Sequence, residues 1–191
     1  FRTLTNAALN AAQHEDALVT FAVQPTRPET GYGYLELDDD RLPGAEIRYG
    51  APVFHVRRFC EKPERAVAEE YISTGRYFWN SGMFFWRLSS FVEELAEADP
   101  AMAHTLAEIT GALAKGDSES AAKLFSALPS ISIDYALMEK SEHVIAIKAG
   151  FSWDDVGSWD ALERIIPPDA DGNIIVGDPV VLDTRDTGVD R

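Results

Sequence analysis

Ala17-Leu18-Val19-Thr20-Phe21-Ala22-Val23 is an apolar run of strand length, bounded by Glu15-Asp16 on one side and by Pro25 on the other. A strand with apolar groups on both faces needs cover on both faces. That requirement suits a buried strand of a parallel sheet and disfavours a sheet with one side in water. Strand-length and helix-length patterns then alternate along the chain. The order strand, helix, strand, helix predicts an α/β fold with a mostly parallel sheet and flanking helices.

Residues 1 to 14 read as an amphipathic helix, with Leu4, Ala8, Ala11 and Ala12 on one face. Tyr34 to Leu37 is a short strand, and Asp38-Asp39-Asp40 reads as a solvated turn after it. Val53 to Phe59 is a strand that delivers Glu61 and Lys62 at its end. Pro63 then opens a helix at a favourable first position. Val67, Ala68, Tyr71 and Ile72 face inward on it, and Gly75 stops it. Gly75 to Asn80 reads as an aromatic-rich turn, and Gly82 to Trp86 as a strand. Ser90 with Glu93 spells a capping box for the first of three helices whose apolar faces suggest packing only. Ile131 to Lys140 is a short helix, Val144 to Lys148 a strand, and Phe151 to Trp159 a loop ending at a helix start. Asn173 to Val176 and Val180 to Leu182 read as short β segments. The expected division is therefore 1–167 as one α/β portion and 168–191 as the beginning of a β-rich segment.

The chain of 191 residues is long enough for a sizeable core. Its net charge of -15 argues against nucleic acid, where a basic face supplies most of the affinity, and against an anionic membrane surface. No apolar run approaches a membrane span. A single cysteine, Cys60, excludes an internal disulfide framework and reads as a packed small side chain. With no secretory leader in the sequence, a cytoplasmic location is expected. His14, His55, His104 and His143 show no ligand or triad spacing, and no nucleophile–base pair stands out.

Three stretches set polar groups against apolar walls, as a small-ligand pocket requires, and a fourth is a loop placed where ligands usually sit. Pro25 to Tyr34 is a stiff loop directly after a strand, with Gly31 and Gly33 allowing close approach of the backbone. Glu61-Lys62 suits a sugar phosphate, the carboxylate accepting from hydroxyls and the ammonium facing phosphate; it suits a surface ion pair equally. Asn80, between Trp79 and Gly82, has a donor and an acceptor for a pair of sugar hydroxyls, or for its own backbone in a turn. Asp154-Asp155 offers hard oxygen ligands for Mg²⁺, or acids at a helix N-terminus. Asp38-Asp39-Asp40 is read as solvated rather than as a metal site.

Taken in order, five motifs resemble those of bacterial mannose-1-phosphate guanylyltransferases. They are Pro25-Thr26-Arg27-Pro28-Glu29-Thr30-Gly31-Tyr32-Gly33-Tyr34, Glu61-Lys62-Pro63, Trp79-Asn80-Ser81-Gly82-Met83-Phe84, Ser132-Ile133-Asp134-Tyr135 and Asp155-Val156-Gly157-Ser158-Trp159. The resemblance runs from about Phe1 to Leu162. It implies a Rossmann-like nucleotidyltransferase (GT-A-like) domain that joins GTP and mannose 1-phosphate into GDP-mannose and pyrophosphate. It implies in-line attack of the sugar phosphate on the α-phosphorus, Mg²⁺ as cofactor and no covalent enzyme intermediate. By the same resemblance Asp155 is a catalytic metal ligand, and Lys62 lies near the sugar phosphate as a second catalytic residue. Glu61 binds sugar hydroxyls, Asn80 contacts the mannose ring, and Gly33 meets the sugar through its N–H with Tyr32 beside it. Asp134 takes a structural role. GTP and mannose 1-phosphate are the implied partners, and the oligomeric state, a homo-oligomer included, stays open.

The family also has a Gly-rich nucleotide loop and a second metal-binding Asp, and neither stands in this sequence. The expectation is an N-terminally truncated fragment that carries the sugar side. It is expected to be inactive in isolation and poorly stable, with an exposed sheet edge. Two other readings remain. One is another sugar-1-phosphate nucleotidyltransferase, such as a glucose-1-phosphate thymidylyl- or uridylyltransferase, although Trp79-Asn80-Ser81-Gly82 with the Pro-Thr-Arg-Pro stretch favours mannose. The other is a non-catalytic regulatory subunit that binds a sugar phosphate.

Overall fold

A computed structural model describes residues 1–157 and 161–190. The chain forms two compact units, Phe1–Phe151 and Ser152–Arg191. The first contains α1 (Arg2–His14), β1 (Leu18–Val23), β2 (Tyr34–Arg41), α2 (Ala45–Tyr49), β3 (Val53–Cys60), α3 (Arg65–Thr74) and β4 (Tyr77–Phe85). It continues with α4 (Leu88–Ala98), α5 (Pro100–Ala114), α6 (Ser118–Ala127), a π-helical turn at Asp134–Met138 and β5 (Val144–Lys148).

All six residues of β1 are buried, as the apolar run predicts. Its two faces serve different layers. Val19 and Phe21 pack with Ala7, Ala8 and Ala11 of α1, whose small side chains let helix and strand approach closely. Leu18 and Ala22 face Leu35, Phe54, Phe78 and Met138 on the other side. Thr20 lies between them in the alternation and is completely buried.

The expectation of a mostly parallel sheet is corrected. Within this unit only β1 and β5 pair in parallel; β1–β4, β2–β4, β2–β3 and β3–β5 are all antiparallel. The reason is an intervening strand. The β3–α3–β4 unit reads as a parallel crossover, but β2 lies between its two strands and runs against both. The expected open edge is absent from this sheet as well, because its five strands close in the cyclic order β1-β4-β2-β3-β5.

Several local readings change for equally physical reasons. Asp38, Asp39 and Asp40 continue β2 rather than turning after it; the three acids tolerate an exposed strand end, and Asp38 pairs with Arg57 across to β3. Pro63 precedes α3, which begins at Arg65 after Glu64, while Gly75 does close it in a left-handed conformation. Ser90 does not cap α4, which starts at Leu88; its hydroxyl is buried without a hydrogen-bond partner. Tyr77 to Phe85 is one strand, so Asn80 sits within a strand and not in a turn.

The second unit contains α7 (Leu162–Ile165), β6 (Ile174–Val176) and β7 (Gly188–Asp190), with β6 and β7 paired in parallel. The segment Val180 to Leu182 is not a strand. Buried Asn173 ties the unit together. Its N–H donates to Asp169 Oδ1 at 2.8 Å, its Nδ2 to the Thr184 carbonyl at 2.9 Å, and its Oδ1 accepts from Thr187 N at 3.3 Å.

Candidate active site

The loop from Pro25 to Gly33 is held by contacts among its own side chains and with Trp79. The Arg27 guanidinium lies 5.0 Å from the Trp79 ring centroid and donates to Glu29 Oε2 at 3.1 Å and to the Tyr32 hydroxyl at 3.1 Å. The Tyr34 hydroxyl donates to the Glu29 carbonyl at 2.9 Å. Glu29 also accepts from the Thr30 and Gly31 amides. Tyr32 meets Trp79 edge to face at 5.2 Å between centroids. Side chains from motifs far apart in the sequence therefore form one wall.

Gly33 is at the centre. A Cβ placed there would lie 2.5 Å from Glu61 Oε2, 3.3 Å from Asn80 Cβ and 3.5 Å from the Phe59 ring. Only glycine admits both neighbours at that spacing. Its carbonyl accepts from Asn80 N at 2.8 Å, and the Tyr32 carbonyl accepts from Lys62 N at 3.2 Å. Tyr32, Gly33, Glu61, Lys62 and Asn80 are thus brought together by two backbone hydrogen bonds and one close packing contact.

Glu61 follows the end of β3. Its side chain is 9% exposed, whereas that of Lys62 is 56% exposed, and their charged atoms lie 3.4 Å apart. The pair is therefore neither a free surface bridge nor a buried one: the carboxylate is sheltered and the ammonium meets solvent. Burial, then the Asp134 charge, pushes the Glu61 carboxyl above its ordinary value against the pull of Lys62; Glu139 adds to the rise. Glu139 also accepts from the Glu61 backbone N–H at 2.7 Å. Lys62 has φ +48, a left-handed conformation that is unfavourable for a residue with a Cβ. That kink turns the chain out of β3 between the two side chains.

Asn80 is buried. Its Oδ1 accepts from Thr20 Oγ1 at 2.9 Å and from Gly82 N at 3.3 Å, and its Nδ2 donates to Asp134 Oδ1 at 3.3 Å. Between Asn80 and Phe84, β4 carries a bulge against β1: Ala22 faces Asn80 and Thr20 faces Phe84. Gly82, at φ +70, lies in that bulge. Sequence reading gives Asp134 only a structural part and passes over Thr20 and Glu139. No local pattern marks either residue, because their partners lie 60 and 78 residues away.

Asp155 belongs to the second unit and is exposed. A Cβ on Gly157 would lie 3.6 Å from its Oδ2, so the carboxylate folds back over the glycine. Its neighbour Asp154 is engaged by Arg164 through two bonds of 2.7 and 3.0 Å. Ser158 and Trp159, the end of that motif, lie outside the described residues. As a donor, Asp155 offers hard carboxylate oxygen, the type Mg²⁺ prefers.

One further group of metal-ligand type occurs among the described residues. Glu94, Glu97 and His143 hold ligand atoms within 4.8 Å of one another. His143 Nδ1 lies 2.6 Å from Glu94 Oε1, and Glu94 holds the imidazole above its ordinary pKa. This group shares no residue with the Gly33 cluster. Its histidine has no ligand spacing in sequence because both glutamates come from α4.

The model of the nucleotidyl transferase family matches residues 2–171. The chain belongs to the nucleotidyl transferase family. Among curated relatives, the xanthan biosynthesis protein XanB of Xanthomonas campestris pv. campestris is 40% identical over 93% of this chain and 36% of its own length. A mannose-1-phosphate guanylyltransferase of Sinorhizobium fredii is 39% identical over 97% of this chain and 35% of its own length. The chain therefore spans about a third of the length of the curated relatives it matches. A solved structure from Thermus thermophilus, described as a mannose-1-phosphate geranyltransferase, superposes with a TM-score of 0.70. It is 34% identical, and the match covers 92% of this chain and 47% of that one. That TM-score shows a shared overall fold. No helix among the described residues is long and apolar enough to cross a membrane.

Proposed function

We propose that this chain carries the sugar-phosphate side of a mannose-1-phosphate guanylyltransferase, which converts GTP and mannose 1-phosphate into GDP-mannose and pyrophosphate. The observation that carries the proposal is the convergence on Gly33. A sheltered carboxylate, Glu61, and a buried carboxamide, Asn80, flank a position with no side chain of its own. An aromatic wall of Tyr32 and Trp79 stands beside it. Ring hydroxyls donate to Glu61 and accept from Asn80, while the Gly33 backbone lets the ring come close. The exposed Lys62 ammonium, 3.4 Å from Glu61, supplies a compact cation for the phosphate.

In this reading the residues hold the sugar phosphate so that its oxygen is aligned for attack, and rate enhancement comes from positioning and charge. Asp155 would hold Mg²⁺ through a carboxylate oxygen; when bound, that ion would neutralise charge on the transferring phosphates. A cytoplasmic site of action and a boundary after residue 167 belong to the same proposal. The names of the relatives favour mannose over another sugar 1-phosphate.

The test is made on the full-length protein. GDP-mannose formation from GTP and mannose 1-phosphate is measured beside glucose 1-phosphate and a panel of nucleoside triphosphates. Preference for the mannose and guanosine pair is expected. Binding of mannose 1-phosphate with no turnover under any nucleotide would instead indicate a regulatory subunit.

A further inference from the structure

Thr20 has a role that neither its sequence context nor the motifs assign. It is the one polar side chain in an otherwise apolar, wholly buried strand, and it is 0% exposed. A buried hydroxyl without a partner is destabilising, so its presence in β1 calls for a compensating contact. That contact is Asn80: Thr20 Oγ1 donates to Asn80 Oδ1 at 2.9 Å. The Gly82 amide reaches the same oxygen at 3.3 Å. Both lone pairs of the amide oxygen are thereby occupied from within the protein.

The other end of the carboxamide is set by charge. Asn80 Nδ2 faces Asp134 Oδ1 at 3.3 Å. Turning the amide over would place its oxygen against the Asp134 carboxylate and its NH₂ against the Gly82 N–H. Both contacts would be repulsive. One orientation survives, and in it Asp134 takes one N–H of the Asn80 amide, leaving the second N–H as the donor for a ligand.

We propose that Thr20 is a positioning residue: Asp134 and the Gly82 amide select the orientation of the Asn80 carboxamide, and the Thr20 hydroxyl anchors it there, so that the site presents a hydrogen-bond donor to the sugar. This rests on the sugar-phosphate reading of the site given above. The consequence is a complementary pair around Gly33. Glu61 only accepts when ionised, and Asn80 only donates, so two neighbouring ring hydroxyls are read in a fixed sense, one giving its proton and the other receiving one. Without the Thr20 anchor the carboxamide would be held less firmly and would present that donor less consistently to the ring.

The test uses the full-length protein with Thr20→Val, which keeps the shape and removes the hydroxyl, and Thr20→Ser, which keeps the hydroxyl. Thermal unfolding of each variant verifies that it is folded. For Thr20→Val, the KM for mannose 1-phosphate is expected to rise about five- to tenfold, the loss of roughly one hydrogen bond, while the KM for GTP stays within about twofold. Thr20→Ser is expected to remain within about twofold of wild type for both substrates. An unchanged KM for mannose 1-phosphate in a folded Thr20→Val protein overturns the inference. So does an equal rise in both KM values, or a Thr20→Ser variant as impaired as Thr20→Val. Wild-type protein that neither binds nor turns over mannose 1-phosphate overturns the functional reading, and this inference with it. Wild-type binding with an unaffected valine variant overturns this inference alone.

Discussion

At the scale of single residues the site is defined by what Gly33 lacks. Gly33→Ala would set a methyl group 2.5 Å from Glu61 Oε2, the far end of a flexible side chain, and 3.3 Å from Asn80 Cβ. The fold can yield at Glu61 more easily than at a strand backbone. Gly33→Ala is therefore expected to raise the KM for mannose 1-phosphate at least about tenfold while shifting the melting temperature by less than about 3 °C. Steady-state kinetics with calorimetry check both. Glu61 shows the opposite balance between stability and function. Burial and the Asp134 charge raise its pKa in the folded chain, so folding favours the protonated form. The associated stability is present below the unfolded pKa and is lost as pH rises through the folded value. At neutral pH the ionised carboxylate thus works against the fold. Glu61→Gln is expected to raise the melting temperature by about 1–3 °C at pH 7, to lose that advantage in acid, and to weaken sugar binding. Melting curves from about pH 4 to 8, spanning the carboxyl titration, decide it.

At the scale of elements, β4 matters most. Its bulge lets one strand pair with β1 on both sides of Asn80 while placing that side chain beside Thr20. Gly82 has φ +70, where a side chain is strained even though no atom lies within 4 Å of the Cβ position. Gly82→Ala is expected to cost about 1–2 kcal/mol in urea unfolding, through the backbone alone. The Gly82 amide also holds Asn80 Oδ1, so a relaxed bulge would weaken sugar binding as well. Local sequence places a turn here because Asn, Ser and Gly are turn residues. The β-pairing of Tyr77, Phe78 and Trp79 with β2 overrides that local preference. The same override extends β2 through Asp38, Asp39 and Asp40.

At the scale of the whole molecule, the sugar-side residues belong to the unit Phe1–Phe151 and Asp155 to the unit Ser152–Arg191. The two sets are expected to separate in function. In the full-length protein, Asp155→Asn should lower turnover by at least about 100-fold, the scale of losing one charge-stabilising group. The affinity for mannose 1-phosphate should stay within about twofold. Isothermal titration beside a product assay tells these apart, and near-normal turnover would remove Asp155 from the metal role.

Local chemistry carried much of this protein into view. The buried β1, the helix at Arg2–His14 and the stop at Gly75 were legible, because side-chain periodicity and backbone preference act between near neighbours. Gly33, Glu61 and Asn80 stood out by residue type, and the fold brings them together. Strand direction was not legible, since helical connections look alike whether or not a third strand slips between the strands they join. Nor was the closing of the sheet, or the lock on Asn80. The sheet closes by pairing β1 with β5, near opposite ends of the first unit. The lock joins Thr20, Asn80 and Asp134 across 54 to 60 residues, so these polar groups meet only once the chain has folded.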